Sequence, residues 1–206
     1  MAAAVLHGII LAFGLIIPLG VQNVFVFNQG ALQPTYIKAL PVVITAAICD
    51  TILIVAAVSG VSLLVLTFAW LESIIFGVGI VFLLYMGIVL WRTNTTTNEA
   101  EGQRFSTKRQ IIFAASVSLL NPHALLDTIG VIGTNSLNYA GDLKWVFTLS
   151  TIAVAWLWFL GLALTGRYFG KLDHTGKLMA LLNKFSALLV WGVAVYMAIR
   201  LIGNVG

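Results

Sequence analysis

Long charge-free stretches constrain this chain more than any other feature. No Asp, Glu, Lys or Arg occurs in residues 1–37, 51–71, 73–91 or 145–166. A helix needs about 20 mostly apolar residues to cross the hydrocarbon core of a bilayer, and each stretch has that length or nearly so. Only 9% of all residues are charged, compared with roughly 25% in soluble domains. The sequence therefore predicts an all-α membrane protein.

The apolar stretches predict about six transmembrane helices in one domain, residues 1–206. Their expected positions are residues 4–27, 38–60, 67–91, 109–133, 145–167 and 178–202. The most polar segment, residues 93–108, separates two halves of three spans each, residues 1–92 and 109–206. With an odd number of spans per half, the second half is inserted upside down relative to the first, which is an inverted repeat.

The distribution of basic residues predicts the orientation. Nine of the 11 Lys and Arg residues follow spans 1, 3 and 5, and the other two are Lys144 and Arg200. Because cytoplasmic loops carry the excess of Lys and Arg, loop 93–108 is expected in the cytoplasm and both termini outside it. The net charge of +4 is thus a topology signal and does not indicate a nucleic-acid partner.

Two polar interruptions lie inside apolar stretches. They are Pro18-Leu19-Gly20-Val21-Gln22-Asn23 and Asn121-Pro122-His123-Ala124-Leu125-Leu126-Asp127. Lipid tolerates an opened backbone only where it faces protein or a wet cavity. We therefore expect spans 1 and 4 to break near the midplane, at Pro18, Gly20 and Pro122. Pro122 follows Pro18 by 104 residues, and the same offset aligns Asn23 with Asp127.

Two aspartates lie deep within predicted spans. An aspartate at the centre of a membrane helix costs about 2.5 to 3.5 kcal/mol, so such residues usually face a cavity or a partner. Asp50 and Asp127 are expected to hold a cation, a proton or both in turn; the alternative is a protonated or hydrogen-bonded packing role. His123 is a candidate proton relay, and equally a cap for a freed carbonyl.

The interruptions also supply groups that bind anions. A helix that restarts after a break presents its N-terminus, which attracts a carboxylate. Gln22, Asn23 and Asn121 add side-chain amides. Together with the two aspartates, these groups would suit a zwitterion that carries a cationic side chain. The alternative is that each interruption is only a packing kink.

Other residues receive structural interpretations. Trp156, Trp158 and Trp191 are expected to anchor helices at the membrane interface or to contact lipid, with cation–π contact to a ligand as the alternative. The single cysteine, Cys49, reads as a small buried residue. Glycines expected to permit close helix packing are Gly77, Gly79, Gly87, Gly130, Gly133 and Gly161. We found no phosphate loop, zinc spacing or dinucleotide fingerprint, so we expect no metal and no cofactor.

The two interruptions resemble signature motifs of the lysine exporter (LysE) family. Residues 18–30 are similar to the first motif and residues 120–128 to the second, while Asp50 matches a family aspartate in the second span. Trp158-Phe159 is similar to a weaker signature. The resemblance covers essentially the whole chain and is closest to the lysine/arginine export branch. One departure is Val21, where the family usually has the proline of Gly-Pro-Gln-Asn.

The resemblance implies secondary active export of basic L-amino acids across the bacterial plasma membrane, with protons as the counter-ion. Expected partners are a basic amino acid, protons and the lipid bilayer, with a homo-oligomer left open. Export of neutral amino acids or of other small cationic metabolites is the alternative within this class. A passive channel and an intramembrane aspartyl protease are alternatives of other classes; the protease rests on two Asp-Thr pairs that begin at Asp50 and Asp127.

Overall fold

The computed structural model describes residues 1–17, 20–60, 69–92, 105–119, 125, 128–173 and 177–203. Within these ranges the backbone alone is described at residues 69–73, 75, 76, 178, 179, 200, 202 and 203. The described elements are all helical. They are α1 (Ala2–Ile16), α2 (Val21–Leu32), α3 (Tyr36–Val58), α4 (Ala69–Arg92), α5 (Thr107–Leu119), a π-helical segment (Thr128–Gly133) followed by a single α-helical turn (Thr134–Ser136), α6 (Asp142–Leu172) and α7 (Lys177–Gly203).

The helices agree with the predicted all-α membrane architecture. Among the described residues, three helical stretches are long and apolar enough to cross a bilayer: Tyr36–Val58, Asp142–Leu172 and Ala180–Ile199. Helices α1 and α2, whose axes differ by 82°, make a fourth if they are one broken span. A shorter apolar stretch in α4 covers Gly77–Arg92. The six-span inverted topology stays a prediction.

Helix α6 is the longest element and packs on most of the others. Its 31 residues extend over about 46 Å at 1.5 Å per residue, which exceeds the thickness of the hydrocarbon core. One face is buried and includes Phe147, Thr151 and Phe159. Leu149 and Leu157, which are 62% and 69% exposed, lie on another face. A helix that is apolar on both faces is typical of a membrane span.

Glycines bring α6 into backbone contact with the broken pair. A Cβ atom at Gly30 would collide with the Ala163 carbonyl, and one at Gly166 with the Phe27 carbonyl. Near the start of both helices, a Cβ at Gly8 of α1 would lie 2.8 Å from the Phe147 carbonyl oxygen. Because only hydrogen fits at these positions, α1, α2 and α6 pack more closely than side chains would permit.

These contacts correct the predicted list of packing glycines. Gly133 faces Ala57 of α3, and Gly87 faces Trp191 of α7, as expected. In contrast, no atom of the described residues lies within 4 Å of a Cβ added at Gly77, Gly130 or Gly161. A glycine shortens a helix contact only when a partner backbone lies opposite, and hydropathy does not indicate where that partner is. Cys49 is buried, as predicted.

The helices form two parts. The main body consists of α1, α2, α3, α5, the π-helical segment and α6, with α3 packed against α6, α5 and the π-helical segment. The second part, the α4–α7 pair, contains two helices packed along each other. An apolar seam joins the parts, where Val21 and Val24 of α2 lie in one cluster with Leu83, Met86 and Val190.

Hydrogen bonds tie the helix ends together at both ends of the main body. At one end Arg167 of α6 donates to the carbonyl oxygens of Gln33 (3.2 Å) and Pro34 (3.1 Å). Gln110 of α5 donates to the Lys38 carbonyl of α3, at 3.0 Å. We call this end the basic face, since the described basic residues there include Lys38, Lys108, Arg109, Arg167 and Lys171.

At the opposite face, three elements meet through aromatic side chains. The Nδ1 atom of His7 in α1 lies 2.8 Å from the hydroxyl oxygen of Tyr139. Tyr139, in the turn before α6, stacks on Phe147 with ring centroids 5.3 Å apart. The start of α1 and the start of α6 are therefore joined at this end.

Candidate functional site

A cavity of about 380 Å³ lies between the main body and the α4–α7 pair. Most of its wall is apolar. Its polar side chains are those of Gln22 and Asn23 on α2, Asp50 on α3, Thr151 on α6 and Thr128 of the π-helical segment. The lining residues are Ala12, Leu15, Ile16, Gly20, Val21, Gln22, Asn23, Asp50, Leu53, Ile54, Leu83, Thr128, Ile132, Thr151, Ala155, Phe159, Leu189, Val190 and Val193.

The start of α2 forms part of this wall. Gly20 is the N-cap residue, with extended backbone (φ −73°, ψ 172°), and Val21 is the first helical residue. The first N–H groups of an α-helix have no acceptor within the helix, so the cavity wall here carries backbone donors and the positive end of a helix dipole. Helix α1 ends at Ile16 and α2 begins at Val21, while Pro18 lies outside the described residues, so a break within one membrane span stays a prediction.

The position of Val21 explains how this chain departs from the family motif. Proline is favoured at the first position of a helix because its fixed φ suits the helix and its missing N–H has no acceptor there. Valine fits the same position and keeps the N–H. The helix therefore begins here without proline, and Val21, 3% exposed, packs into the seam with the α4–α7 pair.

Asp50 and Gln22 are brought together across the cavity. Gln22 donates from Nε2 to Oδ1 of Asp50 at 2.9 Å, and this bond joins the first turn of α2 to the middle of α3. Asp50 is partly buried and lines the cavity. A carboxylate can accept about four hydrogen bonds, so this contact leaves Asp50 with capacity for a cationic ligand.

Asn23 joins the two halves of the broken span. Its Nδ2 donates to the Ile16 carbonyl at the end of α1, at 2.7 Å. Its Oδ1 accepts from Nε1 of Trp158 in α6, at 3.2 Å. Asn23 is only 5% exposed, and buried amides of this kind fix the geometry around them because an unmade hydrogen bond is costly. It therefore holds the wall in place more than it faces the cavity.

Two tryptophans for which an interface role was predicted make hydrogen bonds between helices. Trp158 bonds to Asn23, as above, and Trp156 donates to the hydroxyl of Thr51 at 3.1 Å. Both indoles thus link α6 to the residues beside the cavity. Hydropathy alone does not identify these partners, and the interface role stays a prediction. Trp191 donates to the Leu84 carbonyl of α4, at 3.3 Å.

The second motif lies almost wholly outside the described residues. Asn121, Pro122, His123 and Asp127 are among the residues not described, so their predicted roles and the break of span 4 stay predictions. The next described residue, Thr128, begins the π-helical segment and lines the cavity. Single π-helical turns inside helices occur frequently at functional sites.

An acid, amides and a restarted helix around a cavity between membrane helices are typical of secondary transporters. The chain belongs to the LysE type translocator family, whose model matches residues 13–201. It is thus a multi-pass membrane protein of a transporter family. No solved structure matches the chain.

Three relatives illustrate the similarity. The chain is 54% identical over 201 residues to a Bacillus subtilis (strain 168) protein named "Putative amino-acid transporter YisU", covering 98% of this chain and 91% of that one. It is 33% identical over 202 residues to the arginine exporter protein ArgO of Pectobacterium carotovorum subsp. carotovorum (strain PC1), with 96% and 98% covered. For ArgO of Escherichia coli (strain K12) the identity is 32% over 196 residues, with 93% and 92% covered.

Proposed function

We propose that this protein exports basic L-amino acids, arginine or lysine, across the bacterial plasma membrane by alternating access with proton antiport. The observation that carries the proposal is the placement of Asp50 and the N-terminus of α2 on the same cavity. These groups have opposite electrostatic preferences. A cavity that holds both suits a ligand with separated positive and negative groups.

The ionic groups of the substrate have distinct partners in this proposal. Its guanidinium or ammonium group binds the carboxylate of Asp50, which Gln22 orients by donating a hydrogen bond to Oδ1. Its carboxylate binds at the start of α2, where backbone N–H groups and the helix dipole favour an anion. No lysine or arginine lines the cavity within the described part of the chain, so no protein cation competes for Asp50.

The size of the cavity supports a small substrate. Its volume of about 380 Å³ is near the lower end of the range for small-molecule pockets, roughly 300 to 1,000 Å³. Leu53, Leu83 and Leu189 offer apolar surface to the methylene groups of a side chain. The same surface favours neutral amino acids as the alternative substrate, and two relatives named as arginine exporters favour the basic one.

The packing pattern supports the proposed inverted repeat. In such a repeat, α1 and α2 correspond to α5 and the π-helical segment, α3 corresponds to α6, and α4 corresponds to α7. The main helix contacts are the same when each element is exchanged with its counterpart. Helix α6 packs on α1 and α2, just as α3 packs on α5 and the π-helical segment, while α3–α6 and α4–α7 pair with each other. In this arrangement the basic face is cytoplasmic by the positive-inside rule, and both termini are outside.

Proton entry supplies the driving force in this proposal. Moving one positive charge against the membrane potential requires about 2.3 kcal/mol per 100 mV, and the inside-negative potential opposes export of a cation. Exchange for a proton that enters offsets this work. Asp50 and Asp127 are the proposed acids that bind the substrate cation and the proton in turn, and His123 is the proposed relay.

Counterflow in proteoliposomes tests the proposal. Proteoliposomes that contain the purified protein and are preloaded with unlabelled arginine should accumulate labelled arginine. Lysine and ornithine should compete with the labelled arginine better than threonine or leucine. An inward proton gradient should increase export. Equal competition by leucine would indicate the neutral alternative. A flux without exchange acceleration would indicate a passive channel and contradict the carrier.

Matched aspartate variants test the site. Asp50→Asn and Asp127→Asn should each abolish counterflow while the protein is still inserted. Asp142→Asn is the control, because Asp142 begins α6 and does not line the cavity. Normal counterflow by both Asp50→Asn and Asp127→Asn would refute the proposed roles of the acids.

A further inference from the structure

Two asparagines meet in the seam between the main body and the α4–α7 pair. Asn28 of α2 donates from Nδ2 to Oδ1 of Asn183 in α7, and the two side chains are 5% and 0% exposed. The rest of the seam is apolar, with Val21, Val24 and Val190 among its buried members. We call Asn28 and Asn183 the amide clasp.

The amide clasp lies between the cavity and the basic face. Val21 lines the cavity, and Val24 and Asn28 follow it at intervals of three and four residues, which places all three on one side of α2. From Asn28 the helix runs on to Leu32, next to the carbonyls that Arg167 holds at the basic face. Any route from the cavity to that face along the seam passes the amide clasp.

The chemistry of the amide clasp suits a contact that opens. If both residues were apolar, burial of their whole contact area would stabilise the closed seam. Two amides instead exchange one mutual hydrogen bond for hydrogen bonds to water, so that opening to a wet route changes the free energy little. Among the described residues Asn28 Oδ1 and Asn183 Nδ2 have no further hydrogen-bond partner, so within this part of the chain the two amides are held by their one mutual hydrogen bond.

The corresponding positions in the other half are different. Under the 104-residue offset, the counterparts of Asn28 and Asn183 are Ile132 and Gly79. This pair has no side-chain donor or acceptor, and the described π-helical segment and α4 do not pack together as α2 and α7 do. A hydrogen-bonded contact therefore closes the seam toward the basic face, whereas the corresponding positions toward the opposite face form no side-chain hydrogen bond.

We propose that the amide clasp is the gate between the cavity and the basic face, and that it separates whenever the α4–α7 pair moves away from α2 during transport. The inference rests on the proposed export function for its transport measurement. The opening of the gate itself is measurable without any substrate.

Cross-linking tests whether the amide clasp must separate. In a Cys49→Ala background, Asn28→Cys and Asn183→Cys are joined by a short bifunctional thiol reagent that a reductant can cleave. We expect arginine exchange to fall at least tenfold on cross-linking and to return after reduction. Full exchange by the cross-linked protein, or failure of two individually reactive thiols to cross-link, would overturn the proposal.

A second cysteine pair within the main body is the control. A Cβ atom at Gly133 would lie 3.6 Å from the Cβ of Ala57, which is within the range for a bridged pair. Cross-linked Ala57→Cys/Gly133→Cys protein should keep exchange within twofold of its reduced form. Loss of exchange in both cross-linked pairs would mean that general rigidity, and not this gate, is limiting, and would count against the proposal.

Accessibility provides a measurement that needs no transport. Val24→Cys lies in the seam, and a membrane-impermeant thiol reagent should reach it slowly from the basic face. Asn28→Ala or Asn183→Ala removes the mutual hydrogen bond and leaves the other amide buried without it, a cost that opening to water relieves. Adding either substitution should therefore increase the labelling rate about fivefold to tenfold, which corresponds to about 1 to 1.4 kcal/mol at tenfold per 1.4 kcal/mol. Unchanged labelling would refute the gate. If labelling rises but neither the unsubstituted protein nor any variant exchanges arginine, the proposed export function is refuted while the proposed gate is supported.

Discussion

Replacing Gly166 by alanine should destabilise the protein by forcing α2 away from α6. The added Cβ would collide with the Phe27 carbonyl oxygen and lie 2.9 Å from its carbonyl carbon. Both atoms belong to helix backbone, so no side-chain rotation relieves the collision. Since Gly30 and Gly170 contact the backbones of Ala163 and Ala31 along the same line, displacement at Gly166 opens those contacts as well.

The magnitude follows from two opposing terms. Overpacking of a close contact costs about 1 to 3 kcal/mol, and glycine-to-alanine replacement within a helix returns roughly 0.5 to 1 kcal/mol. From the middles of these ranges, about 2 and about 0.75 kcal/mol, the net loss is about 1.2 kcal/mol. At about 2 to 4 °C per kcal/mol for a chain of this length, the apparent Tm in detergent should fall by about 2 to 5 °C.

Gly161 provides the matched control in the same helix. An added Cβ there meets nothing within 4 Å, so Gly161→Ala gains the helix-propensity term alone and its Tm should stay level or rise by a few degrees, as roughly 0.5 to 1 kcal/mol implies. Both variants are compared by thermal unfolding of the purified protein in one detergent. A Tm for Gly166→Ala that equals or exceeds that of Gly161→Ala would refute the backbone contact.

Two further substitutions test the hydrogen bonds around the cavity and the basic face. Trp158→Phe keeps an aromatic ring but removes the donor to Asn23. We expect arginine exchange to fall about fivefold, as loss of one hydrogen bond of about 1 kcal/mol implies. The control is Trp145→Phe, at a side chain 53% exposed, and equal exchange rates for the two variants would contradict the role of Trp158. Arg167→Ala removes two hydrogen bonds to the loop after α2 and should lower the Tm by several degrees, roughly 1 to 2 kcal/mol. Lys171→Ala, exposed one turn later in α6, should leave the Tm unchanged, and an equal decrease would argue against a specific role for Arg167.

Hydropathy and charge predicted the helices well because the exclusion of charged groups from lipid acts on whole segments. Helix α7, for example, covers Lys177–Gly203 where residues 178–202 were expected, and α3 covers Tyr36–Val58 where 38–60 were expected. Helix α1–α2 was placed less accurately: the second half continues to Leu32, beyond the expected residue 27. Its later turns are buried within the protein, so they tolerate polar residues such as Asn28, which bonds to Asn183 of α7, and Gln29.

The candidate site was predicted in part for a different reason. Asp50 is costly in lipid, and this cost alone indicated that it faces a cavity or a partner, whereas Gln22 and Asn23 were predicted from their place in the first interruption. The specific pairs could not be predicted, because Trp158 reaches Asn23 across 135 positions of sequence. The packing glycines were missed at Gly8, Gly30 and Gly166 because a glycine's role depends on the backbone opposite it.

The unequal construction of the cavity walls bears on how such a protein can diversify. The wall that carries Gln22 and Asp50 belongs to helices bound by glycine contacts and buried hydrogen bonds, and a substitution there disturbs the whole main body. The wall from the α4–α7 pair presents Leu83, Leu189 and Val193, whose sizes can change with little consequence for the other wall. Under the proposed function, the length of the cargo can therefore be adjusted on one side while recognition of the amino acid's charged groups is inherited unchanged on the other.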